Sequence, residues 1–282
     1  MAHDWRTFIR KGIYSGDERD KARAEFAEAI ETNFIPHEVE PVSRFVQAGS
    51  GIVALDMGCN KGLWAKALLN HHKGNVDHIY MVDASVENVD ECVNPSDNLV
   101  FEPDDFSKLT VSQFAVGDRN GVIDFFTNES GAPVGSIFPQ TVAGEHPFEI
   151  IEGPRLDAAV VQVPLQTIDT YVMQHNIQRI DILKLDIEGN EWNALMGASD
   201  TFNKIEIDAV QFEFGAGQVE ARNFFKDFYE FFKFKGYKLY KVCGEHFATH
   251  GDYLLPIERY GFHLERFDGA WNFVASKNTP RP

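Results

Sequence analysis

Cysteine is scarce in this 282-residue chain, which holds three: Cys59, Cys92 and Cys243. The number is odd and none of the spacings gathers thiolates around a metal, so neither a complete set of internal disulfides nor a structural zinc site is expected. Reduced thiols suit a cytoplasmic protein. Positive charge is the second deficit: 26 Lys and Arg stand against 43 Asp and Glu, a formal net charge of −17. A field of that sign repels polyphosphate, so broad nucleic-acid binding is disfavoured. No apolar run reaches the roughly 20 residues of a membrane span. The opening MAHDWRTFIRKG has no apolar core of the kind a secretory leader carries. Internal repeats and low-complexity tracts are also lacking.

Apolar residues are plentiful, at 44% with 13% aromatic, enough for a globular core. The chain is organised around Gly51 to Leu68, GIVALDMGCNKGLWAKAL. Ile52 to Leu55 form an apolar run of buried-strand type. A turn through Asp56-Met57-Gly58-Cys59-Asn60-Lys61-Gly62 leads to Leu63, Trp64, Ala67 and Leu68 at helical spacing. Strand, glycine-bearing turn and helix open the ligand pocket of a doubly wound α/β sheet, where glycine lets backbone approach the ligand closely. The turn is not the G-x-G-x-x-G of dinucleotide sites, because Asn60 and Leu63 stand where glycines would be required. A carboxylate at the strand end, Asp56, suits a cationic ligand better than a phosphate. S-adenosylmethionine, with a sulfonium and an ammonium and no phosphate, fits that preference. Cys59, inside the turn, reads as a small buried thiol.

Upstream, Ser15 to about Phe34 has helical periodicity, and Val42 to Gln47 reads as a second short helix. Together these give an N-terminal helical extension over residues 1–48, placed either across the sheet edge or over the pocket. Downstream, His71-His72 reads as a solvated helix end. The strand His78–Val82 ends in Asp83. That acid has two readings: acceptor for a ribose diol, or cap of the helix Val86–Cys92. A third strand covers Val111 to Val116. Asp118 follows it, either beside an adenine or within the turn Asp118-Arg119-Asn120-Gly121. An added strand spans Gly121 to Phe126. Residues 127–160 are irregular and hold His146, a length that points to a functional loop above the pocket. The strand Val160–Leu165 leads to a helix through Met173 capped by Thr167 or Asp169.

The second signature is Ile180 to Glu191, IDILKLDIEGNE. It reads as a buried strand closed by Asp186, a turn carrying Glu188 and Gly189, and a helix with Trp192, Leu195 and Met196 turned inward. In a doubly wound sheet this fourth strand lies beside the first, so Asp56 and Asp186 face one crevice. Lys184 points to the same side as Asp186 and is placed to pair with it. Glu188 and Glu191 also fit a solvated acidic helix start. A fifth strand, Ala209–Phe214, is interrupted by Glu213. The aromatic helix Asn223–Lys235 reads as core. Tyr237–Val242 and Trp271–Ala275 form the last strands, the final one antiparallel because no crossover helix separates them. His246 and His250, spaced i, i+4, could ligate a metal on a helix, but Thr249 and Gly251 make that stretch a poor one.

LDMGCNKG and ILKLDIEGNE, with Asp83, QFAVGD and VPLQTIDTYV in order between them, resemble the FkbM family of S-adenosylmethionine-dependent methyltransferases. The resemblance implies a Rossmann-like class I methyltransferase fold: a seven-stranded, mostly parallel sheet with an antiparallel last strand and helices on both faces, here over residues 49–282. It implies O-methylation of a hydroxyl on a sugar or other small natural-product or glycan acceptor. Asp56, Gly58, Asn60 and Gly62 would line the cofactor site, Asp83 would hold the ribose, and Asp186 and Glu188 would stand at the transfer centre. An alcohol must lose its proton as the new bond forms, so Asp186 is the first candidate base, directly or through a divalent ion, with Glu188 and His146 after it. A nicotinamide-dependent oxidoreductase or a non-catalytic S-adenosylmethionine-binding protein would share parts of this pattern.

Overall fold

The computed structural model describes residues 30–47, 51–93, 100–128, 135–138, 158–243, 254–267 and 270–281, with single positions between 21 and 28. Its frame is an eight-stranded sheet built from β1 (Ile52–Met57), β2 (Val76–Asp83), β3 (Leu109–Gln113), β7 (Ile180–Leu185), β8 (Ile207–Gly215), β9 (Lys238–Val242), β10 (Leu254–Ile257) and β11 (Ala270–Ser276). The spatial order is β10-β9-β11-β8-β7-β1-β2-β3. From β8 to β3 every neighbouring pair is parallel. β11 runs antiparallel between β8 and β9, as expected of a last strand entered without a crossover helix. β10, paired antiparallel to β9 at the edge, is an eighth strand where seven are expected.

β1 and β7 are adjacent and their connections leave toward β2 and β8 on opposite sides, so the sheet's switch point lies between the two signatures. Strand alternation sends Leu55, Leu183 and Phe212 into one core with the helices α4 (Ile168–Gln174), α5 (Glu191–Met196), α6 (Ser199–Lys204) and α7 (Phe225–Phe234). Ala54, Ile182 and Ala209 face the other core, under α2 (Leu63–His72) and a wide helical stretch, Ile30–Val39, that runs into α1 (Glu40–Ser43). In the first core Phe212 stacks on Phe228 with centroids 5.1 Å apart. Each such buried aromatic contributes about 1.5–3 kcal/mol, so the aromatic helix is core, although Phe224 at its start is exposed.

The described part of the N-terminal extension belongs to the fold's second core through Ile30, Val39, Val42 and Phe45. The C-terminal tail ties it down: the Arg281 N–H donates to the Arg44 carbonyl at 2.7 Å and the Asn278 amide to that of Phe45 at 2.9 Å.

Three local readings change. The stretch Val111–Val116 is two strands, because Phe114 separates β3 in the main sheet from β4 (Ala115–Val116) in a second sheet of order β4-β6-β5, with β5 (Gly121–Asn128) and β6 (Ala158–Gln166). His71 is exposed in the last turn of α2, as a solvated helix end should be, but the His72 ring beside it is half-buried and bonds the Ser43 hydroxyl at 2.8 Å, and burial lowers its pKa to about 4. Met196 points to solvent. Thr167 does cap α4, accepting from the Thr170 N–H, while Asp169 accepts from the Thr201 N–H of α6.

Candidate active site

The first turn owes its shape to Gly58, Asn60 and Gly62, all at positive φ. At Gly58 the reason is a close approach: a Cβ there would lie 1.8 Å from the Asp186 carbonyl oxygen. The two signatures therefore touch backbone to backbone, and the Asp186 N–H donates to the Met57 carbonyl at 3.0 Å. Gly62 is buried, with Phe101 occupying the space a side chain would need.

The second signature is held from beneath by Glu191. Its carboxylate accepts from the N–H groups of Ile187 and Gly189 and from the Gln218 amide. Fully buried, it is no solvated helix start, and burial pushes its pKa to about 7 against those donors. The clamp fixes a turn in which Glu188 sits at φ +54°. The hydroxyl of Ser136, in the described piece of the long loop, donates to the Glu188 carbonyl at 2.8 Å.

Between the signatures lies Lys184, abreast of Asp56 across β1 and β7. Its ammonium is 3.3 Å from Asp56 and donates to Asp186 at 3.1 Å. It also lies 5.9 Å from the Trp64 ring, within cation–π range. Burial works against the lysine's charge, but Asp186, Asp56 and Glu38 outweigh it and hold its pKa well above the ordinary value. Asp56 is sealed under this ammonium with 0% exposure, and neither carboxylate oxygen has a hydrogen bond. It bounds the crevice through Lys184 and not as wall. Asp186, in contrast, keeps 36% of its side chain exposed.

Above this group is a cavity of about 210 Å³. Gly58, Cys59, Asn60 and Asp83 line one part of it and Lys184, Asp186 and Glu188 another. Phe114, Ala115 and Val116 contribute from the junction of the two sheets, and Gly135 and Ile137 from the long loop. Asp83 does cap the next helix: Oδ1 accepts from Ser85 N–H and the Asn88 amide at the start of α3 (Val86–Val93), and Oδ2 accepts from Asn60 N–H of the first turn at 2.9 Å. Oδ1 thus has both lone pairs engaged, while Oδ2 retains one toward a ligand. Cys59 is tied to Cys92, and this contact and burial raise its thiol pKa well above normal, so it stays a thiol. All three cysteines are free.

Asp118 lies outside the wall, exposed in its turn and paired with Arg119 at 2.9 Å. His146, His246 and His250 fall outside the described residues. Glu38, Glu213 and Asn272 also line the wall and were not singled out by the motifs. Glu213 carried a signal, a charge inside an apolar strand; Asn272 and Glu38 carried none. Among the described residues no three His, Cys, Asp or Glu side chains converge in a metal-holding group, and no helix is long and apolar enough to cross a membrane.

A parallel sheet with this strand order, an antiparallel last strand and a crevice over the ends of β1, β2 and β7 is the class I methyltransferase fold. The chain belongs to the FkbM methyltransferase family: the family model for the methyltransferase FkbM domain matches residues 56–239. It is 23% identical over 181 residues to the 2-O-methyltransferase NoeI of Sinorhizobium fredii, an alignment covering 60% of this chain and 68% of that protein. Among solved structures, the methyltransferase FkbM from Methylobacillus flagellatus aligns at 16% identity and a TM-score of 0.39, over 62% of this chain and 36% of that one. TYW2 of M. jannaschii in complex with AdoMet aligns at 13% identity and a TM-score of 0.37, over 97% of this chain and 80% of that one.

Proposed function

We propose that this methyltransferase uses S-adenosylmethionine and methylates a hydroxyl on a sugar or another small acceptor, with Asp186 as the base. The reading is carried by one observation: an acid-lined crevice over the switch point, with the Asp186 carboxylate exposed into it and oriented by Lys184. The residues present suit a cationic cofactor. The acids of the wall outnumber its lysines and make the site negative, and Asp83 Oδ2 keeps a lone pair for a ribose hydroxyl. When bound, the cofactor supplies a methyl group on a positively charged sulfur.

Under this reading Asp83 and the Gly58–Asn60 turn hold the ribose and amino-acid portions, while Phe114 and Val116 flank the base. Asp186 receives the acceptor's hydroxyl proton as the carbon–oxygen bond forms, a role worth about 10²–10⁴ in rate. Lys184 keeps that carboxylate aimed, and the small sheet and loop residues 135–138 limit water at the cavity mouth. The hydroxyl acceptor is supported by the name of the NoeI relative and by the chemistry of a lone carboxylate base.

The test is calorimetric titration of the protein with S-adenosylmethionine, S-adenosylhomocysteine and NAD. Saturable binding of the first two, weakened about tenfold or more in Asp83→Ala, is the expected result. Preference for NAD, or no binding of either sulfur compound, would overturn the proposal.

A further inference from the structure

The register of the sheet continues the polar face past the two signatures. Lys184 is abreast of Gln211 on β8, and Leu185 of Phe212, so Asp186 comes level with Glu213. Glu213 in turn faces Asn272 on β11. A row Asp186–Glu213–Asn272 thus crosses the sheet just beyond a row Asp56–Lys184–Gln211. Its far end lies on the side of β7 away from β1 and β2, where Asp83 and the glycine turn sit. From β2 to β11 is four strand spacings, roughly 19 Å at about 4.8 Å each, so the far end stands well apart from the turn that would hold the cofactor.

Two carboxylates of the wall are unlike the others. Asp186 has Lys184, Asp83 has three donors and Glu191 its backbone clamp. Glu213 and Glu38, the latter reaching in from the wide N-terminal helix, receive no hydrogen bond from a described residue. Beneath Glu213, just outside the lining, Gln211 is 1% exposed with neither end of its amide partnered. Half-buried carboxylates that face a cavity with no donor of their own among the described residues, as Glu213 and Glu38 do, call for a ligand that donates hydrogen bonds. The two lysines of the wall are committed elsewhere, Lys184 as above and Lys61 to Glu91 at 2.6 Å.

We propose that Glu213, Glu38 and Asn272 form the acceptor-binding wall, and that the acceptor is a donor-rich hydroxyl compound without phosphate or carboxylate near the reacting group. The proposal rests on the methyl-transfer reading and adds residues and a substrate class to it. An anionic acceptor would face like charges with no uncommitted cation among the described residues of the wall.

The test uses the full chain saturated with S-adenosylhomocysteine and three sugars of one ring type: methyl glucoside, glucosamine and glucuronate, titrated by saturation-transfer NMR. The neutral and amino sugars are expected to bind, with glucuronate weaker by about tenfold or more. Glu213→Gln and, independently of the sheet, Glu38→Gln should each weaken the first two sugars about tenfold while S-adenosylhomocysteine still binds. Equal or tighter binding of glucuronate, unchanged sugar binding in both variants, or no binding of any of the three sugars would overturn the proposal. Loss of S-adenosylhomocysteine binding in the unmodified protein would remove the methyl-donor reading and this one with it.

Discussion

The ammonium of Lys184 lies 3.3 Å from the carboxylate of Asp56, two residues far apart in the chain but level on adjacent parallel strands. Both are buried, so the pair is worth little as net stabilisation but much as an arrangement that cannot be half removed. Lys184 also reaches Asp186, which makes it the cation that holds two acid-tipped strand ends together.

Lys184→Met should therefore destabilise the fold by about 3–5 kcal/mol, because Asp56 is left buried without a counter-charge. Adding Asp56→Asn to that variant should recover part of the loss. Urea unfolding of the two variants and the unmodified protein checks this; equal midpoints would show that the pair has no such role.

Gly58→Ala tests the contact between the signatures. The new methyl would meet the Asp186 carbonyl at 1.8 Å, at a φ of +85°. Gly74→Ala is the control, at φ +89° with nothing within 4 Å. The control should cost about 1–2 kcal/mol, the penalty of the left-handed backbone alone. Gly58→Ala should cost more and also weaken S-adenosylhomocysteine binding. Thermal unfolding and calorimetry on both variants separate the two effects.

The sequence made this much of the site readable because the chemistry sits at strand ends. A carboxylate closing an apolar run, as at Asp56, Asp83 and Asp186, is visible without coordinates. Lys184 was legible from alternation alone. What could not be read depends on pairing between distant strands: Asn272 faces the cavity only because β11 inserts between β8 and β9 in one register. Glu38 comes from a helical stretch with no motif, and Glu191 looks solvent-exposed until the Ile187–Gly189 turn folds over it. The break at Phe114 was equally hidden, since Val111–Val116 is an uninterrupted strand-like run whose division depends on where β6 lies.

Glu191 gives a pH signature. Burial raises its pKa from 4.5 to about 7, so the folded protein keeps a proton there that the unfolded chain has already released. Folding stability from this group is greatest below about pH 4.5 and falls as pH rises toward 7, by up to about 1.4 kcal/mol per pH unit. Glu191→Gln keeps an oxygen for the Gly189 N–H but does not titrate. Its stability should fall less steeply between pH 5 and 7 than that of the unmodified protein, as measured by urea unfolding at several pH values. Parallel curves would show that Glu191 is charged throughout.

Asp186→Asn separates catalysis from architecture. Lys184 retains Asp56 as partner in this variant, so the buried charge stays paired and the fold should hold to within about 1 kcal/mol. The amide cannot take a proton from the acceptor hydroxyl, so kcat should fall about 10²–10⁴-fold, with S-adenosylhomocysteine affinity close to normal. Single-turnover methyl transfer and calorimetry on the same preparation give both numbers. A variant that turns over at the original rate would pass the base to Glu188, whose carboxylate lines the same wall, and Glu188→Gln would then show the loss instead.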